Sequence, residues 1–217
     1  MMQLHYDPGT ASMVPHILLE EIGTAYERVL VSRAANAHKQ PAYLRLNPNG
    51  LIPVLVDGEL VLYETAAIVL HLADTHPQAN LAPPIGSAQR AHCYKWLMWL
   101  TNTLQASLVA YFYPERWVDE GNAEGAAQVK RHAERKIAGL LDQLDAELAR
   151  HGGPWFGGAA YGVLDPYVFT MCRWTRNFRH EAPARERPHL GPYLRRMLER
   201  PAVQSVFANE QLSAPFV

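Results

Sequence analysis

The spacing of hydrophobic positions changes about a third of the way along the chain. Up to residue 78, short runs of alternating apolar and polar residues, which are typical of strands, are separated by turns rich in glycine and proline. From residue 88 onward, apolar residues recur at spacings of three and four, which indicates helices. We therefore predict an α/β domain over residues 1–78, a linker over residues 79–87 and an all-helical domain over residues 88–217.

The first domain is predicted to follow the order βαβαββα. Strands are expected at residues 3–6, 26–31, 54–56 and 60–62, and helices at residues 13–22, 41–46 and 65–73. Asp57-Gly58, which lies between two apolar runs, favours a hairpin. This order predicts a mixed sheet whose first half contains a right-handed crossover.

The second domain is predicted to consist of helices alone. We expect a long helix rich in aromatic residues at 88–112 and another at 124–150, where leucines repeat at helical spacing. Shorter helices are expected at residues 163–178, 192–198 and 201–207.

Composition and charge narrow the class of protein. Hydrophobic residues make up 48% of the 217 residues, which is enough for a sizeable core, and the formal net charge is −1. This balance gives no electrostatic reason to expect binding to nucleic acid or to an anionic membrane surface. No apolar run reaches the length of a membrane span, and residues 1–6 lack the features of a signal peptide. We therefore expect a cytoplasmic protein.

The two cysteines, Cys93 and Cys172, lie far apart in the chain among aromatic and apolar residues. Because they form no CxxC pattern, two buried free thiols are favoured over a disulfide or a metal site. We expect no bound metal.

A proline between a loop and a strand is the first indication of a binding site. Pro53 follows the loop Asn47-Pro48-Asn49-Gly50 and directly precedes the predicted third strand. A proline cannot donate to a strand ladder, so a cis Ile52–Pro53 bond is one solution and an ordinary trans proline is the other. We predict the cis form, which leaves the backbone N–H and C=O of Ile52 open to an extended, peptide-like ligand.

Glu64 and Thr65 directly precede an apolar helix and form the second indication. Thr65 is predicted to cap this helix, whose free amides and dipole attract an anion, while Glu64 is suited to hold an ammonium group. Together they predict a cradle for the α-amino and α-carboxylate ends of an amino acid. A helix cap beside a solvated acid is the alternative interpretation.

These motifs and their order resemble those of the cytosolic glutathione transferases, including bacterial beta-type and theta-type members. The resemblance covers essentially the whole chain and rests on residues 47–55, on Glu64-Thr65-Ala66-Ala67-Ile68, and on the segment from Trp155-Phe156-Gly157-Gly158 to Asp165. It implies a thioredoxin-like domain followed by an all-helical domain, assembly as a homodimer, glutathione as co-substrate and no tightly bound cofactor.

The resemblance also implies roles for individual residues. Ile52, the residue before Pro53, pairs by its backbone with the cysteinyl part of glutathione. Glu64 and Thr65 hold the γ-glutamyl end.

A basic pair earlier in the chain has a further implied role. His38 and Lys39 resemble residues of plant-type and theta-type members that pair with the glycyl carboxylate of glutathione. Solvated loop residues are the alternative interpretation of this pair.

Three hydroxyl-bearing residues are candidates for activating the thiol of glutathione. The segment from Tyr6 to Ser12 resembles the opening of beta-type members, where a cysteine stands in place of Ala11, so covalent thiol chemistry at that position is excluded. A donated hydrogen bond favours the thiolate, and the helix that starts near residue 13 adds its dipole. Ser12 is the preferred donor, with Thr10 and Tyr6 as alternatives. His16 is interpreted as a helix-face residue, with a general base as the alternative.

Beta-type members also carry a His-Lys pair in the first long helix, which Gln105-Ala106 replaces here. The resemblance implies an aromatic pocket for a small hydrophobic electrophile, lined by Tyr111, Tyr113 and Trp117. Packing in the core or at a dimer interface is the alternative role for these rings.

The predicted function is that of a glutathione S-transferase, which activates the thiol of glutathione for attack on a hydrophobic electrophile. Glutathione-dependent reduction of disulfides or peroxides is one alternative, although Ala11 weakens its covalent form. A non-catalytic, glutathione-binding regulatory protein on the same fold is another.

Overall fold

The computed structural model describes all residues, 1–217. Its contacts divide the chain into two compact units, here called the N-terminal unit (Met1–Pro84 with Leu198–Ser213) and the helical unit (Ile85–Met197 with Ala214–Val217). The predicted linker, residues 79–87, contains the point at which the chain first passes from one unit to the other.

The elements follow the predicted order. The strands are β1 (Met2–Tyr6), β2 (Tyr26–Leu30), β3 (Val54–Asp57) and β4 (Leu60–Tyr63). The helices are α1 (Met13–Ile22), α2 (Pro41–Leu44), α3 (Thr65–Thr75), α4 (Ala88–Trp99), α5 (Ala106–Phe112), α6 (Ala123–His151), α7 (Leu164–Trp174), α8 (Leu190–Leu198) and α9 (Pro201–Asn209). No helix combines the length and the hydropathy needed to cross a membrane.

The four strands form one mixed sheet in the order β2-β1-β3-β4, which confirms the predicted sheet. β1 and β2 are parallel, and α1 supplies the crossover that a parallel pair requires. β3 pairs antiparallel with both β1 and β4. The predicted hairpin between β3 and β4 turns at Gly58, whose φ of 60° suits a residue without a Cβ.

The sheet is covered by helices on both faces. Val54 of β3 packs with Val31 and with Tyr43 of α2 in a small core on one face. Side chains alternate along a strand, so Leu55 points to the opposite face, where α1 and α3 contact the sheet. Leu55 and its pairing partner Leu4 are both fully buried there.

Helix α9 packs against α1 and belongs to the N-terminal unit, which the predicted division at residues 78 and 88 does not anticipate. Arg200, just before α9, donates two hydrogen bonds to the carboxylate of Glu21, at 2.6 and 2.7 Å. Ser205 of α9 donates to Glu20 at 2.6 Å, and Tyr26 of β2 donates to the other oxygen of Glu20 at 2.5 Å. The end of the chain is therefore tied to α1 by hydrogen bonds to two carboxylates.

The helical unit is built around the buried faces of α6 and α7. The leucine repeat predicted for α6 forms its buried stripe, which includes Leu140, Leu141, Leu144 and Leu148. Asp165, near the start of α7, is fully buried and accepts hydrogen bonds from the amides of Phe156 and Gly162, at 2.8 Å each. The hydroxyl of Tyr193 donates to the same carboxylate at 3.0 Å, so this buried charge is fully hydrogen-bonded.

The predicted continuous helix over residues 88–112 is interrupted by a π-helical segment, Leu100–Gln105, between α4 and α5. The hydroxyl of Thr101 donates to the carbonyls of Leu97 and Met98, at 3.1 and 2.9 Å. Such side-chain bonds to the preceding turn compete with the regular helical pattern. The prediction of one regular helix was wrong here, because hydrophobic spacing does not report a local change of helical hydrogen bonding.

Both cysteines are buried with free thiols, as predicted. Burial raises the pKa of the Cys172 thiol. A thiol with a raised pKa is a poor nucleophile near neutral pH, so Cys172 has a packing role.

The hydrogen bonds to Glu20 generate a pH-dependent prediction. We expect Ser205→Ala to lower the free energy of unfolding at pH 7 by about 1.5 kcal/mol, because a hydrogen bond to a carboxylate is lost. Burial raises the pKa of Glu20, but the hydrogen bonds from Ser205 and Tyr26 outweigh it, so the pKa lies below its usual value. The stabilisation is therefore present above the unfolded-state pKa and is lost as pH falls through the native pKa.

Urea denaturation of the parent and of Ser205→Ala at pH 7 and at pH 3 measures this effect. The difference between the two proteins should be smaller at pH 3. Ser213→Ala, which removes an exposed hydroxyl without a hydrogen bond, is the matched control. An equal loss of stability at both pH values would contradict the role of the Glu20 carboxylate.

Candidate functional site

The strand register brings most of the predicted site segments to one edge of the sheet. Val54 pairs with His5 on one side and with Tyr63 on the other. The end of β1, the start of β3 and the end of β4 therefore lie side by side. The segments attached to these strand ends are residues 7–12, 50–53 and 64–65.

The first segment, Asp7–Ser12, is closed by its own hydroxyls. Thr10 Oγ1 and Ser12 Oγ both donate to the carbonyl of Asp7, at 2.8 and 3.1 Å, and lie 3.0 Å apart. The amide of Asp7 donates back to Ser12 Oγ at 3.3 Å. The carboxylate of Asp7 accepts from the amide of Arg33 at 3.2 Å, which ties the loop to the segment after β2.

The three hydroxyls predicted for thiol activation differ in accessibility. Ser12, the preferred candidate from the sequence, is fully buried and donates its proton within the loop. Thr10 also donates its proton within the loop, but its side chain is only half-buried. The Tyr6 ring is also half-buried, and it lies 6.0 Å from the ring of His16 and 5.7 Å from the guanidinium of Arg28. Of the three, Ser12 is thus the least accessible to a ligand.

A buried carboxylate that follows α9 holds this loop in place. Glu210 Oε1 lies 2.7 Å from His16 Nδ1, and both side chains are fully buried. Glu210 Oε2 accepts from the amide of Gly9 at 2.8 Å. His16 lies on α1, as predicted, and its ring is buried on that helix and bonded to Glu210. No local pattern identifies Glu210, since its partners lie at the opposite end of the chain.

The second segment contains the Ile52–Pro53 bond, which is cis, as predicted. The carbonyl of Leu51 accepts from the hydroxyl of Tyr43 at 2.7 Å and from Asn47 Nδ2 at 2.9 Å. Burial raises the pKa of Tyr43, so its hydroxyl keeps the proton that it donates. Ile52 itself makes no backbone hydrogen bond within the chain, and its N–H and C=O remain available at the sheet edge.

The predicted basic pair lies next to this segment. His38 and Lys39 end a short 3₁₀ helix, Ala37–Lys39. Gly50 has a φ of 61°, and a Cβ at this position would lie 3.0 Å from the carbonyl oxygen of His38. Only glycine combines this conformation with such a close approach, so Gly50 allows the basic pair to lie against the cis-proline loop.

The third segment contains Glu64, whose backbone has φ 75° and ψ 112°. A conformation of this kind costs a residue with a side chain about 1–3 kcal/mol. The Glu64 side chain is exposed and makes no hydrogen bond within the chain. Thr65 was predicted to cap α3, but it is the first helical residue, and Glu64 occupies the cap position. The first amide to bond within the helix is that of Ile68, so the amides before it are free to bind an anion.

The aromatic residues predicted to line an electrophile pocket have different surroundings. Tyr111 is buried and packs on Phe178, with ring centres 4.5 Å apart, so its core role is the correct interpretation. The guanidinium of Arg116 lies 4.1 Å from the ring centre of Tyr113. Trp117 is exposed and lines a cavity of the helical unit.

The sheet edge therefore offers three kinds of recognition in one place. The carboxylate of Glu64 is suited to bind an ammonium group of a ligand, and the free amides at the start of α3 are suited to bind a ligand carboxylate. The open backbone of Ile52 is suited to pair with an extended peptide. The fold is that of a thioredoxin-like α/β domain followed by helices, and this combination of groups suits a small, peptide-like zwitterion.

Comparison with known proteins identifies the family. The family model described as "Glutathione S-transferase, N-terminal domain" matches residues 3–74, and the one described as "Glutathione S-transferase, C-terminal domain" matches residues 115–196. Glutathione S-transferase GstA of Escherichia coli O157:H7 is 29% identical over 213 residues, which cover 97% of this chain and 100% of that protein. Glutathione S-transferase GstB of Escherichia coli K12 is 31% identical, over 88% of this chain and 89% of that protein.

A solved structure supports the same conclusion. A sphingomonad glutathione S-transferase complexed with glutathione matches with a TM-score of 0.82 at 31% identity, over 97% of this chain and 100% of that one. The chain belongs to the glutathione S-transferase family, a class of transferases, which confirms the predicted family and fold.

The buried position of Glu210 leads to a prediction about the loop that it holds. We expect Glu210→Ala to lower the free energy of unfolding by about 1–3 kcal/mol, because the buried His16 ring loses its hydrogen-bond partner and the Gly9 amide loses this acceptor. Glu210→Gln keeps an acceptor oxygen and should lose less stability. Thermal and urea denaturation measure both losses.

The control is Glu199→Ala. It removes a carboxylate from the same region of the chain, and this carboxylate is exposed and forms no ion pair. If Glu210→Ala were no less stable than Glu199→Ala, the proposed role of Glu210 in holding the loop would be refuted.

Proposed function

We propose that this chain binds glutathione at the edge of its sheet and activates the thiol for attack on a small apolar electrophile. The observation that carries the proposal is the grouping of Glu64, the free amides of α3 and the open backbone of Ile52. Glutathione carries an ammonium group, two carboxylates and an extended backbone. Each of these groups has a counterpart among the residues of the N-terminal unit.

The γ-glutamyl and cysteinyl parts are assigned to two neighbouring segments. Glu64 binds the ammonium group, while the amides at the start of α3 and the hydroxyl of Thr65 bind the α-carboxylate. The cysteinyl residue pairs with the N–H and C=O of Ile52, beside Pro53, as a short added strand. The strain at Glu64 supports this assignment, because strained backbone of this kind concentrates at ligand sites.

The glycyl carboxylate is assigned to His38 and Lys39. Lys39 is exposed and makes no ion pair within the chain, so its ammonium group is available to an anion. The close approach of Gly50 to the His38 carbonyl supports a position beside the cysteinyl segment.

Thiol activation is assigned to Thr10 in preference to Ser12. A hydroxyl near the thiol favours the thiolate by donating a hydrogen bond to the charged form. Thr10 is half-buried, whereas Ser12 is fully buried. To donate to the thiol, Thr10 exchanges its hydrogen bond to the Asp7 carbonyl for one to the sulfur. The amide of Ala11, which makes no hydrogen bond within the chain, and the dipole of α1 add to the stabilisation of negative charge. Tyr6 remains the alternative hydroxyl.

The reaction type and the remaining partners follow from the same residues. Conjugation is favoured over covalent reduction because Ala11 has no thiol. The exposed side chains of Tyr94 and Met98, one helical turn apart on α4, support contact with a second copy in a homodimer. The cytoplasmic location stays a prediction from the sequence.

The assignment of Glu64 is tested by its affinity for glutathione. We expect Glu64→Gln to weaken binding by more than about tenfold. A charge-assisted hydrogen bond contributes about 1.5–3 kcal/mol, and a tenfold change in the dissociation constant corresponds to about 1.4 kcal/mol. Calorimetry with reduced glutathione measures the dissociation constant. Glu59→Gln changes an exposed acid in the turn at the opposite edge of the sheet and should bind like the parent. If the parent and Glu64→Gln bind glutathione with equal affinity, Glu64 has a structural role and does not bind the ligand.

The assignment of Thr10 is tested by the pH dependence of conjugation. Thr10→Val removes the hydroxyl at nearly constant volume. It should raise the apparent pKa of bound glutathione by about one to two units, because a hydrogen bond to a charged group is lost. Turnover near neutral pH should fall, while affinity for glutathione should change little.

Ser12→Ala and Tyr6→Phe are the matched comparisons. If either of them shifts the pH profile and Thr10→Val does not, Thr10 is the wrong donor and the transferase function stands. If none of the three shifts the profile, the amide of Ala11 and the dipole of α1 carry the activation. A parent protein that neither binds nor conjugates glutathione would overturn the proposed function.

A further inference from the structure

His5 of β1 is a buried titratable residue to which the proposed function gives no role. It is 9% exposed, and its Nε2 atom has no hydrogen-bond partner. In the neutral ring a proton on Nδ1 leaves Nε2 bare, whereas the cation carries a proton on both nitrogens. Protonation of His5 therefore places a charged donor where the chain offers no acceptor, which costs free energy unless the ring reaches water.

The strand register places His5 beside the cis-proline segment. Its pairing partner is Val54, the first residue of β3, and paired residues carry their side chains on the same face of a sheet. Tyr43 of α2 packs on this face, and its ring centre lies 6.1 Å from that of His5. The hydroxyl of Tyr43 donates to the carbonyl of Leu51 at 2.7 Å. Tyr43 therefore connects His5 to the segment that carries Ile52.

The groups around His5 have opposite effects on its charge. Burial lowers the pKa of His5, and the carboxylate of Glu27, on the same face of β2, raises it to a smaller extent. The other titratable residues on this face are Tyr43 of α2 and Tyr63 of β4. Burial raises the pKa of Tyr43, so this phenol stays neutral. The neutral form of His5 is therefore the one that fits the closed structure.

We propose that His5 is a positioning residue for glutathione, which holds the cis-proline segment in place only while its ring is neutral. The neutral ring packs against Tyr43, whose hydroxyl stays bonded to the carbonyl of Leu51. A protonated ring needs water at Nε2, so α2 moves away from the sheet and takes Tyr43 with it. The backbone of Ile52 then loses its fixed position, and glutathione binds less tightly. This inference rests on the proposed glutathione site.

The direction of the pH dependence follows from the form of His5 that fits. A solvated histidine has a pKa of about 6.5, and burial lowers the pKa of His5 below that value. Affinity should be full above about pH 6.5 and should fall at lower pH, because binding then requires the release of a proton. Protonation of His38 has the opposite effect, since a cation there binds the glycyl carboxylate more tightly. A loss of affinity in acid therefore distinguishes His5 from His38.

Calorimetry with S-methylglutathione, which has no thiol to titrate, tests the inference on the full-length protein. Between about pH 7.5 and about pH 5.5 the affinity of the parent should fall by about three- to tenfold, within the limit of about tenfold per pH unit for the release of one proton. His5→Phe keeps a ring that cannot be protonated, so its affinity should not fall. His92→Gln removes an exposed histidine of α4 and should lose affinity as the parent does.

Two further measurements test the steps of the argument. Glu27→Gln removes the carboxylate that favours the protonated ring, so the fall in affinity should move to lower pH. Amide hydrogen exchange of the unliganded protein reports the opening of residues 43–53 without any use of glutathione. After correction for intrinsic rates, this segment should exchange faster at about pH 5.5 than at about pH 7.5 in the parent, and equally at both in His5→Phe.

Three results would overturn the inference. Identical pH profiles of affinity for the parent and His5→Phe would assign any pH dependence to another group. Equal exchange of residues 43–53 in the two proteins at both pH values would show that the segment does not open. A fall in affinity at the same pH in the parent and in Glu27→Gln would contradict the titration of His5. If the parent binds glutathione at no pH, the proposed function fails, and the exchange measurement alone decides the inference.

Discussion

The geometry of the proposed glutathione site depends on one buried carboxylate. Glu210 accepts from the amide of Gly9 and bonds to His16, and its removal from water is tolerated because both of its oxygens have partners. The carboxylate thereby fixes the loop between β1 and α1 against the end of α9. Since this loop carries Thr10 and the amide of Ala11, Glu210 decides where the groups proposed to activate the thiol lie.

Backbone constraints hold the other two segments of the site. The carbonyl of Leu51 accepts two side-chain hydrogen bonds, which position the cis-proline loop, and Glu64 is kept at a positive φ. Strain of this kind persists only where the surrounding structure over-determines the conformation. The site is therefore largely preorganised, so little of the binding free energy is lost in ordering it.

Sequence patterns predicted the elements of the N-terminal unit well, because alternation, turn residues and helical spacing are local properties. The same patterns missed the π-helical segment Leu100–Gln105, because apolar spacing does not report a local change of helical hydrogen bonding. They also placed Ser12 first among the thiol-activating candidates, because its position before α1 suits a hydroxyl donor. Its complete burial is a result of packing and leaves no trace in the local sequence.

The sequence by itself determined the order of strands and helices, the cis Ile52–Pro53 bond and the motifs of the family. These depend on residues that are close together in the chain. Only the tertiary structure decided that Glu210 meets Gly9 and that Thr10 is more accessible than Ser12. It also decided that α9 completes the N-terminal unit. These features arise from contacts between distant segments, whose positions are set by the packing of helices on the sheet and on one another.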